Sequence, residues 1–245
     1  MRAAARIAVE RRNGHDEVVD RSCAAPISIR RCGDRVLLAA SAAAPVGGDS
    51  LDLTVDVGPG ARSDVGSVAA SLVWPGPTDS WSSQTTTCAV AAEGHLRLWL
   101  EPTVSVARSR HLASTTVRLA SGATCVIAEE IALGRHGESS GRLDLRLRVE
   151  RDGDVLVDHG ETFGPDVAGV GSSVSVGAAR HVCSGVVVGV PAGLSRTCVE
   201  ANRAAAWLPI ADDAAMVLAV GADRPAVSEL VARIAPELTR GGLLW

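Results

Sequence analysis

Between residues 96 and 157 apolar and polar positions alternate strictly. Leu96, Leu98 and Leu100 alternate with Arg97, Trp99 and Glu101, and Leu143, Leu145, Leu147 and Val149 alternate with Arg142, Asp144, Arg146 and Arg148. A period of two puts one set on a buried face and the other in water, so these segments predict strands of a half-buried sheet. Residues 128–138 lie between them and hold two adjacent glutamates, an apolar triplet and the turn Gly134-Arg135-His136-Gly137-Glu138. A charged turn held between strong strands predicts a recognition surface.

The same pattern recurs elsewhere. Residues 26–31 and 35–40 predict a hairpin around Gly33-Asp34. Leu51, Leu53, Val55 and Val57 alternate with Asp52, Thr54 and Asp56, and Gly58-Pro59-Gly60 closes that strand. Residues 61–73 are small and apolar; 75–86, rich in Pro, Ser and Thr, predict a mobile loop. Strands are expected near 87–92, 95–100, 103–108, 114–120 and 123–133. Asp152-Gly153 folds 142–150 back onto 154–159. The pattern weakens from 163 to 177, returns as a buried strand over 182–190, suggests a short helix over 196–206, and gives another strand over 214–220.

A helix is expected from about 224 to 238. Asp223 is placed to cap it, Pro225 suits its first turn, Gly241-Gly242 would end it, and Val227, Leu230, Val231, Ile234 and Leu238 form one stripe. Many strands at roughly ten-residue intervals with one or two helices predict a single mainly β domain over residues 1–245. A sandwich, a barrel or an irregular β-helix-like stack would all satisfy the pattern. No sequence repeat marks a regular solenoid.

Composition narrows the function classes. The chain has one Phe, no Tyr and five Trp, so aliphatic side chains must fill the core. The net charge of -4 and the absence of a basic run argue against nucleic-acid binding. No stretch has the apolar length of a membrane span or a signal peptide, so a cytoplasmic protein is expected. The six cysteines are scattered, with no pair two or three residues apart, and are expected to be reduced, buried small apolar residues.

Catalytic signatures are scarce. No P-loop, nucleophile elbow, His-Glu-x-x-His or paired-cysteine metal site occurs, and Gly169-Val170-Gly171 lacks the third glycine of a dinucleotide fingerprint. Three constellations merit weighing. His181 and Cys183 share a strand face and could ligate a soft metal, although a satisfied histidine beside a buried thiol is the favoured reading. Glu129, Glu130 and Glu138 could gather around a divalent cation, unless alternation sends the first two to opposite faces. In Val46-Gly47-Gly48-Asp49 the glycines and the aspartate favour a structural turn.

The order of several motifs resembles a known family. Gly47-Gly48-Asp49 with the strand and Gly58-Pro59-Gly60-Ala61 after it resembles the glycine-rich strand entry of the urease accessory protein UreD (UreH) family. Gly94 to Pro102, Glu129-Glu130 through Leu133-Gly134-Arg135-His136-Gly137-Glu138, and the closing Leu243-Leu244-Trp245 are similar to other segments of that family. The resemblance runs from about residue 20 to the end. The family's threonine–glutamine–lysine segment appears without lysine as residues 67–71, and an insertion-like loop follows from Trp74 to Ser80.

The resemblance implies a β-rich scaffold that is no enzyme. It would bind UreF and, through it, the GTPase UreG, dock on the urease apoprotein and help deliver nickel, through an internal passage. On that reading Gly47, Gly48, Asp49, Pro102, Gly134 and Arg135 are motif or partner-binding positions. Arg135 is expected to clamp Glu138, Glu130 or a partner carboxylate. Glu101, Glu130 and Glu138 are the expected ion-pathway carboxylates, with Glu129 turned outward and Glu130 inward. No tightly bound cofactor is expected, only nickel in transit. The alternatives are a β-sandwich hydrolase collecting His111, His136 or His181 with a carboxylate and a serine, and a plain interaction module.

Overall fold

The strictly alternating segments become strands, except that Leu100 and Glu101 fall beyond the end of the strand over 95–99, and the chain lays them into two stacked sheets. The computed structural model describes residues 1–172 and 175–239. One sheet holds β1 (Arg2–Arg12), β2 (His15–Cys23), β5 (Ser50–Val57), β8 (Ser82–Val90), β11 (Arg110–Leu119), β13 (Arg142–Arg151) and β14 (Asp154–Phe163). The other holds β3 (Ile27–Cys32), β4 (Arg35–Ala40), β6 (Arg62–Ser67), β7 (Ser71–Val73), β9 (His95–Trp99), β10 (Thr103–Ser105), β12 (Thr124–Ala132), β15 (His181–Val188), β16 (Arg196–Glu200), β17 (Arg203–Ala211) and β18 (Ala214–Gly221). The first sheet runs β14-β13-β11-β8-β5-β1-β2; the second runs β16-β17-β18-β15-β12-β9-β6-β4-β3, with β10 beside β12 and β7 beside β10.

The middle of the molecule is a coil. The chain passes from one sheet to the other between β5 and β13, so β5, β8, β11 and β13 pair in parallel in one layer. Strands β6, β9 and β12 do the same in the opposite layer. Antiparallel hairpins finish both sheets at their ends. This is the β-helix-like member of the expected set, built without a sequence repeat, because each coil shares with the next only its alternation.

Alternation also sets the core. Ile7, Val55, Val117, Leu147 and Val149 meet Val65, Leu96, Ile127 and Val186 between the sheets, all at most 1% exposed. A second core lies on the far face of the larger sheet. There α1 (Arg224–Ile234) buries Val227, Leu230, Val231 and Ile234 against Val126, Val187, Trp207 and Val217. Each such side chain contributes roughly 1.5–3 kcal/mol of burial, which anchors the helix.

Several expectations need correction. Residues 196–206 are not a helix but most of the β16–β17 hairpin, because β17 pairs with β18 and alternately buries Ala205 and Trp207. The tertiary ladder overrides the helix preference of Ala204-Ala205-Ala206. Residues 75–86 are not all loop, since β8 begins at Ser82. The C-terminal helix is divided: Ala235 leaves the helical conformation and α2 (Pro236–Thr239) follows. A residue before proline is steered away from helical geometry, and the proline itself has no N–H for a helix bond. Asp223 caps α1 by accepting the Ala226 N–H at 2.9 Å. Gly241-Gly242 and Leu243-Leu244-Trp245 lie outside the described residues.

All six cysteines are free, but burial is restricted to Cys88, Cys125 and Cys183, while Cys23 and Cys32 are exposed. No helix among the described residues is long and apolar enough to cross a membrane.

Candidate functional site

The glutamate pair sits on β12, the strand that both cores share. Glu129 has the parity of Cys125 and Ile127 and faces the other sheet, where its carboxylate accepts the Thr115 hydroxyl at 2.6 Å. Burial pushes its pKa up to about 7, against the lowering effect of Thr115, and the nearby Glu161 charge adds to the rise. Glu130 has the parity of Val126 and faces α1. It is 5% exposed, and its oxygens accept the Trp99 indole N–H at 2.6 Å and the Arg224 Nε at 2.8 Å. His181 Nε2 lies 3.1 Å from the same carboxylate. Burial opposes ionisation there, but the bonds from His181 and Trp99 and the Arg224 charge prevail, and Glu130 is held below the ordinary carboxylate range.

The outward assignment of Glu129 is therefore overturned. It points into the space between the sheets, and Glu130 points to the face that α1 covers. Alternation predicts opposite faces but not that each lies under another layer, which leaves Glu129 partly and Glu130 fully buried.

Glu101 joins Glu130 through one arginine. Its Oε2 accepts Arg224 Nη1 at 2.5 Å, so the guanidinium bridges the two carboxylates. The Glu101 N–H donates to the Ser67 hydroxyl at 2.9 Å, and Pro102 is buried, its carbonyl accepting the Ser71 N–H at 2.9 Å. Glu138 does not join them. Arg135 clamps it with two bonds of 2.7 and 2.9 Å, and that pairing holds its pKa down to about 2. Glu138 shares only a surface depression with His181, Asp223 and Arg224. Gly134 takes φ +87°, and a Cβ there would stand 2.6 Å from the Glu138 carbonyl oxygen.

The Gly47-Gly48-Asp49 turn forms a second cluster. Asp49 is 6% exposed, accepts the Val46 N–H at 2.8 Å and pairs with the Met1 ammonium. Burial disfavours its charge, yet the ammonium and the Val46 N–H outweigh that and lower its pKa. Gly47 packs on Gly76 so closely that a Cβ would lie 2.6 Å from the Gly76 nitrogen. The loop that leaves Trp74 is tied down, because Gly47 N–H donates to the Trp74 carbonyl and Gly48 N–H to the Trp81 carbonyl, both at 3.0 Å. Arg135 stacks over the Trp74 ring at 5.3 Å, linking this turn to the Gly134-Arg135 turn.

The hydrolase constellation is not assembled among the described residues. His111 has a serine partner, Ser82 Oγ at 2.9 Å, but both are at most 2% exposed and no carboxylate bonds the imidazole. His181 has its carboxylate but no serine in contact. Cys183 shares the face of His181 and is buried in the helix-side core, where burial raises its thiol pKa. No group of three or more His, Cys, Asp or Glu among the described residues is arranged to hold a metal ion. Sequence reasoning passed over Arg224 and Trp99, since a charge in a helix's first turn and an indole on an outward-reading strand position carry no local signal.

These features define a coiled two-sheet β protein in which one half-exposed arginine bridges a buried glutamate and a half-exposed one. The model of the UreD urease accessory protein family matches residues 1–240. Among similar proteins, the urease accessory protein UreD of Frankia casuarinae is 36% identical over 203 residues, covering 76% of this chain and 63% of that protein. That of Streptomyces coelicolor is 34% identical over 206 residues, 81% of each chain, and that of a Parafrankia species 31% identical over 98% of this chain and 89% of its own. The chain belongs to the UreD urease accessory protein family.

Proposed function

We propose that this chain acts in urease maturation as a scaffold rather than as an enzyme. It binds a UreF-like helical protein, through it engages a UreG-like GTPase, and docks the assembly on the urease apoprotein in support of nickel delivery. Nickel is cargo on this reading, and no tightly bound cofactor is required. Family membership supports the maturation role, as do the relatives, which are themselves urease accessory proteins.

One structural observation favours a part in ion passage. A cavity of about 270 Å³ opens near Trp74 and Val68, and a smaller one of about 50 Å³ reaches Thr115 and Glu129. Both are lined by Gln84, Leu100, Glu101 and Thr103, so the two spaces share a wall that includes Glu101. Oxygen ligands in small number suit a hard or borderline divalent ion that must be released again, unlike a closed four-ligand cage.

The test is recovery of partners. Tagged chain purified from cells carrying a urease operon should bring down the UreF-like protein, the UreG-like GTPase and urease subunits together. Recovery of none of them would defeat the scaffold reading, as would saturable turnover on an ester or phosphate substrate that one polar substitution abolishes.

A further inference from the structure

We infer that Arg224 is a gate, closing an opening through the larger sheet between the inter-sheet cavities and the protein surface. The inference rests on the reading of those cavities as an ion passage and adds its point of control.

The opening begins in the strand pairing. Along one edge β12 pairs with β9 through Ala128 and resumes with β10 at Ile131. Glu129 and Glu130 have no ladder partner on that edge, because residues 100–102 detour between the two short strands. The other edge of β12 pairs with β15 without a break from Cys125 to Ala132. The backbone runs on here, three residues (100–102) facing two on β12, so what lapses beside the two carboxylates is the hydrogen-bonded ladder between the strands. Glu101 occupies the interruption: it lines both inter-sheet cavities, yet its carboxylate reaches Arg224, which also holds Glu130 on the helix-covered face.

Arg224 lies across the outer side of this interruption. It also lines the surface depression with Arg180, His181, Asp223 and Glu138. Its guanidinium stands between two carboxylates and shares one Glu130 oxygen with the His181 ring. The side chains of Arg224 and Glu101 are 41% and 36% exposed, so their pairing is the solvent-screened arm and opens readily. Glu130 is 4% exposed and keeps its bonds to Trp99 and His181 when the guanidinium swings away. An arriving divalent cation can therefore exchange for the guanidinium without leaving Glu130 bare. The arginine sits in the first turn of α1, between the capping Asp223 and Pro225, so a partner that shifts this helix end would shift the gate with it.

The test uses the full chain and Ni²⁺ alone, following quenching of Trp99 fluorescence after rapid mixing, with the Trp99→Phe variant supplying the signal of the other tryptophans. Arg224→Ala should quench about tenfold faster than the parent, the size expected when weak screened ion pairs are removed from the barrier. Arg224→Lys, whose ammonium lacks the planar fork that spans Glu101 and Glu130, should quench at least about twofold faster, while Glu138→Gln at the same depression should match the parent. An unchanged rate in folded Arg224→Ala overturns the gate; if that variant does not fold, an unchanged rate in Arg224→Lys does so. Nickel per urease active site, measured with the same variants at limiting nickel, separates the two readings. Faster quenching with unaltered urease nickel keeps the gate and sinks the delivery role, whereas unaltered quenching sinks the gate whatever the urease contains.

Discussion

Glu129 and Glu130 are the same residue, one position apart on one strand, and the structure drives them in opposite directions. Glu129 faces the space between the sheets with the Thr115 hydroxyl as its bonded donor, and its pKa rises to about 7. Glu130 faces α1, meets an indole N–H, an imidazole and a guanidinium, and is held ionised. Burial alone disfavours charge at both sites. What differs is the donor supply, and donors come from elements far away in the chain: Trp99 from β9, His181 from β15 and Arg224 from the helix. Strand parity selects the face, but the far elements decide the charge.

The largest effect should come from removing the ionised member. Glu130→Ala leaves Trp99 Nε1 without its acceptor and the half-exposed Arg224 with half of its bridge, so the loss should sit at the low end for a broken buried pair, about 3 kcal/mol. Denaturant unfolding at pH 7 measures it. A loss below about 1 kcal/mol would mean that Glu130 is solvated in solution and that the comparison fails. The pH response has a definite sign: the folded-state pKa is depressed, so the contribution of Glu130 is present above the ordinary value near 4.5 and is lost as pH falls through the folded value.

Glu129 should show the reverse. Its raised pKa means the folded chain binds the extra proton between about pH 4.5 and about pH 7, so its contribution is complete below 4.5 and is lost as pH rises through 7. Glu129→Gln keeps an acceptor for Thr115 and never ionises. The variant should equal the parent near pH 4.5 and exceed it by about 2–3 kcal/mol at pH 8. A difference that does not grow across that window would show Glu129 to be ionised at no cost, as a carboxylate in water would be.

The contrast also explains what was legible in the chain. The β13–β14 hairpin could be read because alternation and the Asp152-Gly153 turn agree, and α1 because Asp223, Pro225 and the apolar stripe agree. Strands β1 and β2 escaped notice. In β1 the inward Ala3 and Ala5 differ little from the outward Ala4 and Ala8, so the alternation is nearly silent until Ile7 and Val9. The β16–β17 hairpin was hidden by alanines for the same reason. The motif residues of the Gly47-Gly48-Asp49 and Gly134-Arg135 turns were visible as local chemistry. Their link through Trp74 was not, since it depends on a close approach between Gly47 and Gly76 that only the folded loop creates. Likewise nothing near Glu101 or Glu130 in the chain points to Arg224, which lies 123 and 94 residues further along.

The smallest effect tests whether the Thr115 hydroxyl is what limits the rise at Glu129. Thr115 is 7% exposed on β11, and its hydroxyl donates to Glu129 at 2.6 Å. Thr115→Val keeps the shape and the β-branching and removes the donor. The charged form of Glu129 then loses its bonded donor, so its pKa should move further up and the loss of stability with rising pH should extend above pH 7. A single bond to a buried acceptor is worth about 1 kcal/mol, and that is the expected cost at neutral pH. The same substitution made in Glu129→Gln should cost less, because a neutral amide gains less from the hydroxyl than a carboxylate does. The double-mutant cycle should accordingly give a coupling of about 0.5–1.5 kcal/mol that grows from pH 5 to pH 8. A coupling that is flat with pH would mean the hydroxyl serves the neutral acid equally well. Burial alone would then account for the rise at Glu129, and donor supply would no longer distinguish the two faces of β12.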